Sequence, residues 1–229
     1  MKRLIPFLLI SLLAGCETTT VPENSITPVL THTAGQTFGD ATSLYWYSFQ
    51  QNRPVSLAEV VIMGDYGQYQ SEYRWREGNL REIKRQGRQL RGQEIKPFSL
   101  HVRYDTKGSA VFQRYSVDGV VLPLTDTQLY QLTKQAKQAT EVVKQQRRDG
   151  QFLVQGYWQG EHFLRCGDDK PLSVAFETAM PDFIEQQLSQ DRFMAVVGKV
   201  RRNKLVASQL LMLSDSSQQC HAAPKLLDK

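Results

Sequence analysis

The residues best equipped for chemistry are few and widely spaced. Histidines stand at 32, 101, 162 and 221, with no ligand spacing among them. Glu161-His162 lacks the second histidine that a helical zinc-protease motif requires. There is no Gly-x-Ser-x-Gly elbow, no Ser-x-x-Lys pair and no glycine-rich phosphate loop. A catalytic triad can assemble from distant positions, so a hydrolase is not excluded, but no motif favours one. The sequence therefore predicts a non-enzymatic protein with no cofactor, no metal and no catalytic residue to name.

Cys16 is of a different kind. Lys2 and Arg3 form a positive start, and Leu4 to Leu13 is apolar except for Pro6 and Ser11. The small residues Ala14 and Gly15 precede the cysteine. This is the layout of an export signal, and the run falls short of the ~20 residues a membrane-spanning helix needs. Leu13-Ala14-Gly15-Cys16 is similar to the lipobox cut by lipoprotein signal peptidase. The similarity implies a signal peptide over residues 1–15 and an acylated Cys16 at the mature N-terminus. Buried acyl carbons contribute roughly 0.8 kcal/mol each, and two or more chains anchor stably. A chance cysteine after an ordinary secretory signal is the competing reading, disfavoured by its place directly after the small pair. Glu17, not Asp, follows the cysteine. That favours an outer-membrane lipoprotein facing the periplasm of a Gram-negative cell, held to the membrane through Cys16.

With Cys16 acylated, Cys166 and Cys220 remain, an even pair in an oxidising compartment. They are expected to form a disulfide. In the chain-entropy model, closing a loop of this size stabilises by roughly 4 kcal/mol. A reactive thiol or a metal ligand is the alternative, but neither cysteine has a Cys-x-x-Cys neighbour.

The chain has 229 residues, 41% hydrophobic and 22% charged, and no second membrane segment is expected. Its formal charge is +5; loss of Lys2 and Arg3 with the signal, and of no acid, leaves +3. A basic exported protein is attracted to anionic envelope material, and export argues against nucleic acid.

The elements that must position any site follow from periodicity. Residues 16–37, rich in Thr with Pro22, Asn24, Ser25, Pro28 and Gly35, read as a flexible tether spanning roughly 25 Å, with His32 a solvated loop residue. Residues 38–149 read as an antiparallel β domain with a C-terminal helix. Tyr69, Ser71, Tyr73 and Trp75 alternate with polar residues, as do Phe98, Leu100, Val102 and Tyr104. Asp118-Gly119 marks a tight hairpin. From Thr125, a capping residue with Gln128, the period changes: Leu129, Leu132, Ala136, Ala139 and Val143 fall on one face of a helix ending near Arg148. That helix is expected to pack on the preceding sheet.

Residues 150–221 read as three strands, a helix beginning at Pro181, and two further strands, the element order of an OB-fold barrel. Residues 222–229 read as a loose tail. The fold class is thus α+β, mainly β: an antiparallel β-meander with one long helix, followed by a small OB-fold-like barrel.

Two groups of residues are candidates for binding. Arg74, Arg76, Arg81, Lys84, Arg85, Arg88 and Arg91, on alternating strand positions, would line an outer face able to contact anionic lipid or glycan; a merely solvated sheet face is the simpler reading. On the barrel, Tyr157, Trp158, His162 and Arg165 are candidates for ligand contact, with Trp158 equally explained as core. His101 is expected at the surface.

The lipobox, the Tyr73-Arg74-Trp75-Arg76-Glu77-Gly78 segment and Gly156-Tyr157-Trp158-Gln159-Gly160 before Cys166 make the chain similar to the YjaH-like lipoproteins of gamma-proteobacteria, whose function is unknown. The resemblance implies no catalytic residue. The leading expectation is a binding or assembly module for an envelope protein, glycan or anionic lipid. A carrier holding a lipid or other apolar ligand in a β half-barrel is the alternative, and an envelope hydrolase the third.

Overall fold

The structure is a computed structural model, described here over residues 27–159, 162–188 and 190–227. The expectations for the signal peptide, for Cys16 and for the start of the tether lie outside the described residues.

Eight strands form one antiparallel sheet in simple chain order: β1 (Leu30–Phe38), β2 (Ala41–Gln50), β3 (Arg53–Ile62), β4 (Gly67–Arg76), β5 (Asn79–Arg91), β6 (Glu94–Tyr104), β7 (Ala110–Val117) and β8 (Val120–Leu122). The β7–β8 turn carries positive φ at both Asp118 and Gly119, the twist-matched hairpin that the Asp-Gly pair signals. With the strands below, 58% of the described residues are in strands, so the mainly β expectation holds.

The tether expectation fails for its C-terminal part. Leu30 to Phe38 pairs with β2 along its whole length, and His32 is half-buried, its Nε2 2.9 Å from the Gln151 carbonyl. Threonine suits a pleated strand as well as a linker, so composition alone could not separate the two. Strands β5 and β6 also run longer than the apolar alternation suggested, because their distal halves are polar and solvated.

Helix α1 (Asp126–Arg148) begins at the Thr125–Gln128 capping box, with both reciprocal bonds present. Its Leu132, Ala136, Ala139 and Val143 pack on one face of the sheet, against Tyr47, Leu57, Tyr73, Ile83 and Val102. Small residues on the helix let it approach closely, and the sheet supplies the bulk.

The remaining strands, β9 (Phe152–Gln159), β10 (His162–Arg165), β11 (Pro171–Phe176), β12 (Arg192–Arg201) and β13 (Lys204–Asp215), close into a barrel in the order β9-β10-β11-β13-β12 and back to β9, with helix α2 (Asp182–Leu188) between β11 and β12. Phe163, Leu172, Met194, Val196 and Leu205 fill it.

The barrel's outside packs on the sheet face opposite α1. Leu44 and Val60 meet Leu153, Phe193, Ala195, Val197 and Leu211 in a shared apolar core. Gly35 permits this approach: a Cβ there would lie 2.4 Å from Leu211 Cδ1. The two halves are therefore joined by a buried core.

Cys166 and Cys220 form the expected disulfide, 54 residues apart. The segment beyond it is not the loose tail expected. Gln155 holds the His221 backbone with two bonds, and Glu72 Oε2 accepts from the amides of Leu226 and Leu227 at 2.7 and 2.9 Å. Lys84 Nζ reaches the Leu226 carbonyl at 2.7 Å, and Leu226 is buried. Residues 216–227 thus strap the barrel to the sheet. No helix among the described residues is long and apolar enough to cross a membrane.

Candidate functional site

Alternation along β2 to β5 places Tyr45, Glu59, Ser71 and Arg85 side by side in one cross-strand row. All four face α1. The neighbouring row is Tyr47, Leu57, Tyr73 and Ile83; on the other side lie Ser43, Val61, Tyr69 and Gly87. One polar row thus crosses an otherwise apolar and aromatic face.

The row is internally satisfied. Tyr73 Oη donates to Glu59 Oε2 at 2.9 Å, and Arg85 Nη2 donates to Tyr73 Oη at 2.8 Å and to Gln135 Oε1 of α1 at 3.0 Å. Arg85 Nε donates to Ser71 Oγ at 2.8 Å, its Nη2 lies 3.9 Å from Glu59, and its guanidinium sits 4.3 Å from the centre of the Tyr69 ring. Gly87 leaves the room: a Cβ there would come within 2.5 Å of the Tyr69 Cα. Burial alone would lower the Arg85 pKa, but Tyr73, Tyr69 and Glu59 outweigh it and hold the guanidinium charged. Burial, reinforced by Glu59, pushes the Tyr73 hydroxyl well up; burial, partly offset by Arg85, pushes Tyr69 up to about 12. Tyr45 moves the same way, chiefly through burial. These phenols stay protonated at neutral pH.

In front of the row, between the sheet and α1, opens a cleft of about 1050 Å³. Glu59, Tyr45 and Tyr69 lie in its floor, and Val61, Met63 and Val142 in its walls. Phe38, 85% exposed on the β1–β2 hairpin, and Tyr130 at the start of α1 edge it. Arg85 is set behind this floor, while its partner Glu59 lines it. Chemically, the cleft offers a mainly apolar trough with hydroxyl and amide groups from Tyr45, Gln36 and Gln138 and charged groups from Glu59, Lys134, Lys137 and Glu141, the pocket type that holds small ligands.

The sequence reading missed this row. Glu59 was legible as the one charged residue in the run Leu57-Ala58-Glu59-Val60-Val61-Ile62, a buried charge that needs a partner. Arg85 was placed with the outer-face cations, and that expectation is corrected: it is 8% exposed and points to the inner face. Lys84 belongs to the outer face, bonded to the strap. Arg88 and Arg91 lie towards the other end of β5; Arg91 Nη2 donates to Tyr115 Oη at 2.6 Å. Arg74, Arg76 and Arg81 gather around a separate pocket near the β4–β5 turn.

The four barrel candidates are not brought together. Tyr157 packs on Phe193 in the shared core and donates to the Gln218 carbonyl at 2.8 Å. Trp158 packs against the barrel core and edges a groove with Val174 and Phe176. His162 is exposed at the start of β10. Arg165 is bound to Asp168, Nε to Oδ1 at 2.8 Å. His101 is partly buried, its Nε2 2.7 Å from Glu82 Oε1 on the outer face. This His–carboxylate pair carries no hydrogen bond to a nucleophilic side chain among the described residues. No group of three or more His, Cys, Asp or Glu able to hold a metal occurs among the described residues.

No curated protein and no solved structure matches the chain. A family model described as a protein of unknown function, DUF1481, matches residues 33–225, from within β1 to the strap, and takes in the sheet, α1 and the barrel together. The chain belongs to the DUF1481 family.

Proposed function

We propose that this protein is a lipid-anchored binding module of the Gram-negative envelope, a YjaH-like lipoprotein that holds an elongated, mainly apolar ligand between α1 and the sheet. The signal peptide over 1–15 and acylated Cys16 would set it on the periplasmic side of the outer membrane. The observation that carries the ligand reading is the cleft itself: about 1050 Å³, walled by Val61, Met63 and Val142, and edged by the exposed Phe38 and Tyr130. Its size suits an acyl chain or a molecule of similar bulk. This makes the half-barrel carrier, the alternative in the sequence reading, the better supported form of the binding-module reading. The five-stranded barrel, with its helix between the third and fourth strands, is read as an OB-type barrel serving as the brace for the sheet, because the barrel's outer side and the strap are spent on that contact.

Native mass spectrometry of the full chain, extracted from envelopes in neutral detergent, tests the reading. A non-covalent mass is expected on the wild type and is expected to vanish in Ser43→Trp, which fills the cleft, with thermal stability retained. A wild-type chain carrying no such mass, and taking up no 1-N-phenylnaphthylamine, sinks it. The covalent mass on Cys16 in the same spectra tests the anchor separately.

A further inference from the structure

The outer face of the sheet carries a second, smaller pocket of about 300 Å³ where β4, β5 and β6 end. Arg74 and Arg76 reach it from β4, Arg81 from β5 and Arg103 from β6. A β-bulge assembles the set. Arg74 pairs with Glu82 but Trp75 with Leu80, so Arg81 is the extra residue on β5. Strict alternation would turn Arg81 inward with Ile83. Instead Leu80 takes the inner position, packed on the core, and Arg81 joins Glu82 at the pocket. Bulges re-aim side chains in this way, and they are concentrated beside functional sites.

The charge is unbalanced. Four guanidinium groups gather beside two carboxylates, Glu82 and Asp105, and Arg74 is also engaged by Glu72, Nη2 to Oε1 at 3.6 Å. Glu82 is engaged by His101 at 2.7 Å, and Asp105 Oδ1 accepts from the amides of Lys107 and Ser109, both at 2.8 Å, in the β6–β7 turn. Arg76, Arg81 and Arg103 have no ion pair or hydrogen bond among the described residues. Like charges held together by the fold on three strands ask for an anion.

We propose that the pocket formed by Arg74, Arg76, Arg81 and Arg103 is a binding site for a phosphate-type oxyanion. Guanidinium forks match a tetrahedral oxyanion with paired, charge-assisted bonds. The volume admits a phosphate and a few further atoms, a free phosphomonoester or the headgroup of a phospholipid, and excludes acyl chains. The site is separate from the α1 cleft and stands whether or not that cleft takes an apolar ligand.

Calorimetric titration of the full chain in neutral detergent tests this, first with inorganic phosphate, then with phosphatidylglycerol carried in the same micelles. Saturable binding of either is expected. Arg81→Gln and Arg103→Gln are each expected to weaken it about tenfold or more, while Arg88→Gln, an equal charge loss farther along β5, shifts it less than about twofold. Binding of phosphatidylglycerol alone assigns a headgroup; binding of both probes assigns phosphate itself. No binding of either probe, or equal losses in Arg88→Gln and Arg81→Gln, overturns the site. Thermal melts of each variant separate lost binding from lost fold.

Discussion

Lys84 and Arg85 are neighbours in sequence, yet they belong to different chemistry. Arg85 points to the inner face, where Ser71 takes its Nε and Glu59, Tyr73 and Gln135 surround its Nη2. Lys84 points to the outer face, among groups that hold the strap. Three residues farther back, Arg81 stands on that outer face with no carboxylate of its own. The same residue type on the same strand is thus structural on one face and available on the other. Charge counted along the chain cannot distinguish these roles; the face and the partners can.

The sharpest way to break the contrast is to remove the inner cation. Arg85→Met would leave Glu59 buried, with Tyr73 its one hydrogen-bond partner. Breaking a buried pair from one side costs about 3–5 kcal/mol, and the midpoint of denaturant unfolding reads it. Arg85→Met with Glu59→Gln should recover much of that loss, because the stranded charge is gone. If the single and double variants unfold alike, Glu59 is not held by Arg85, and the two faces differ less than the geometry says.

Glu72 is the outer-face counterpart of Glu59, buried and committed, with Oε2 accepting from two backbone amides and Oε1 lying 3.6 Å from Arg74 Nη2. Glu72→Ala would orphan the amides of Leu226 and Leu227, at a cost of about 1–3 kcal/mol. Because the strap is anchored upstream by the Cys166–Cys220 bond, its end should come loose while the barrel stays closed. Faster proteolysis and amide exchange confined to residues 222–227 would show this.

Why the strap was invisible in the sequence follows from the same chemistry. Residues 222–227 are too few to show a period, and their hydrogen bonds to the sheet run through main-chain groups, which carry no residue code. The strand β1 was hidden for a related reason: a Thr-rich segment fits linker and edge strand equally, and only its partner β2 decides. What was legible depended on side chains repeating at a fixed spacing. The α1 face and its cap at Thr125, the paired cysteines and the strand–helix order of the barrel all have that property. The cleft floor was half legible. Glu59 stands out in an apolar strand, but its partner Arg85 is masked by eight other cations between 74 and 103. The bulge that frees Arg81 depends on how β4 and β5 pair, which neither strand declares alone.

A smaller effect separates the strap from the barrel it leaves. Burial lowers the pKa of His221 below its usual 6.5, and its Nε2 faces the Gln218 side-chain amide at 3.4 Å, as an acceptor. His32 is lowered too, by burial. The unfolded chain therefore binds more protons near pH 6 than the folded one, and stability falls as pH drops below about 6.5. A thermal melt at pH 5.5 should lie below one at pH 7.5, and His221→Gln should narrow the gap. An unchanged gap would place the sensitivity at His32, on the β1 side, and leave the strap indifferent to acid.

The least effect is expected where the outer face is only solvated. Arg88 is exposed and has no ion pair among the described residues. Arg88→Gln should change unfolding free energy by no more than about 0.5 kcal/mol, against several for Arg85→Met three residues away. That ratio is the comparison of the two faces reduced to one strand. A loss at Arg88 approaching that at Arg85 would mean that the outer face, too, is held by its cations, and the arginines around the bulge would then have to be read as part of the fold before they are read as a site.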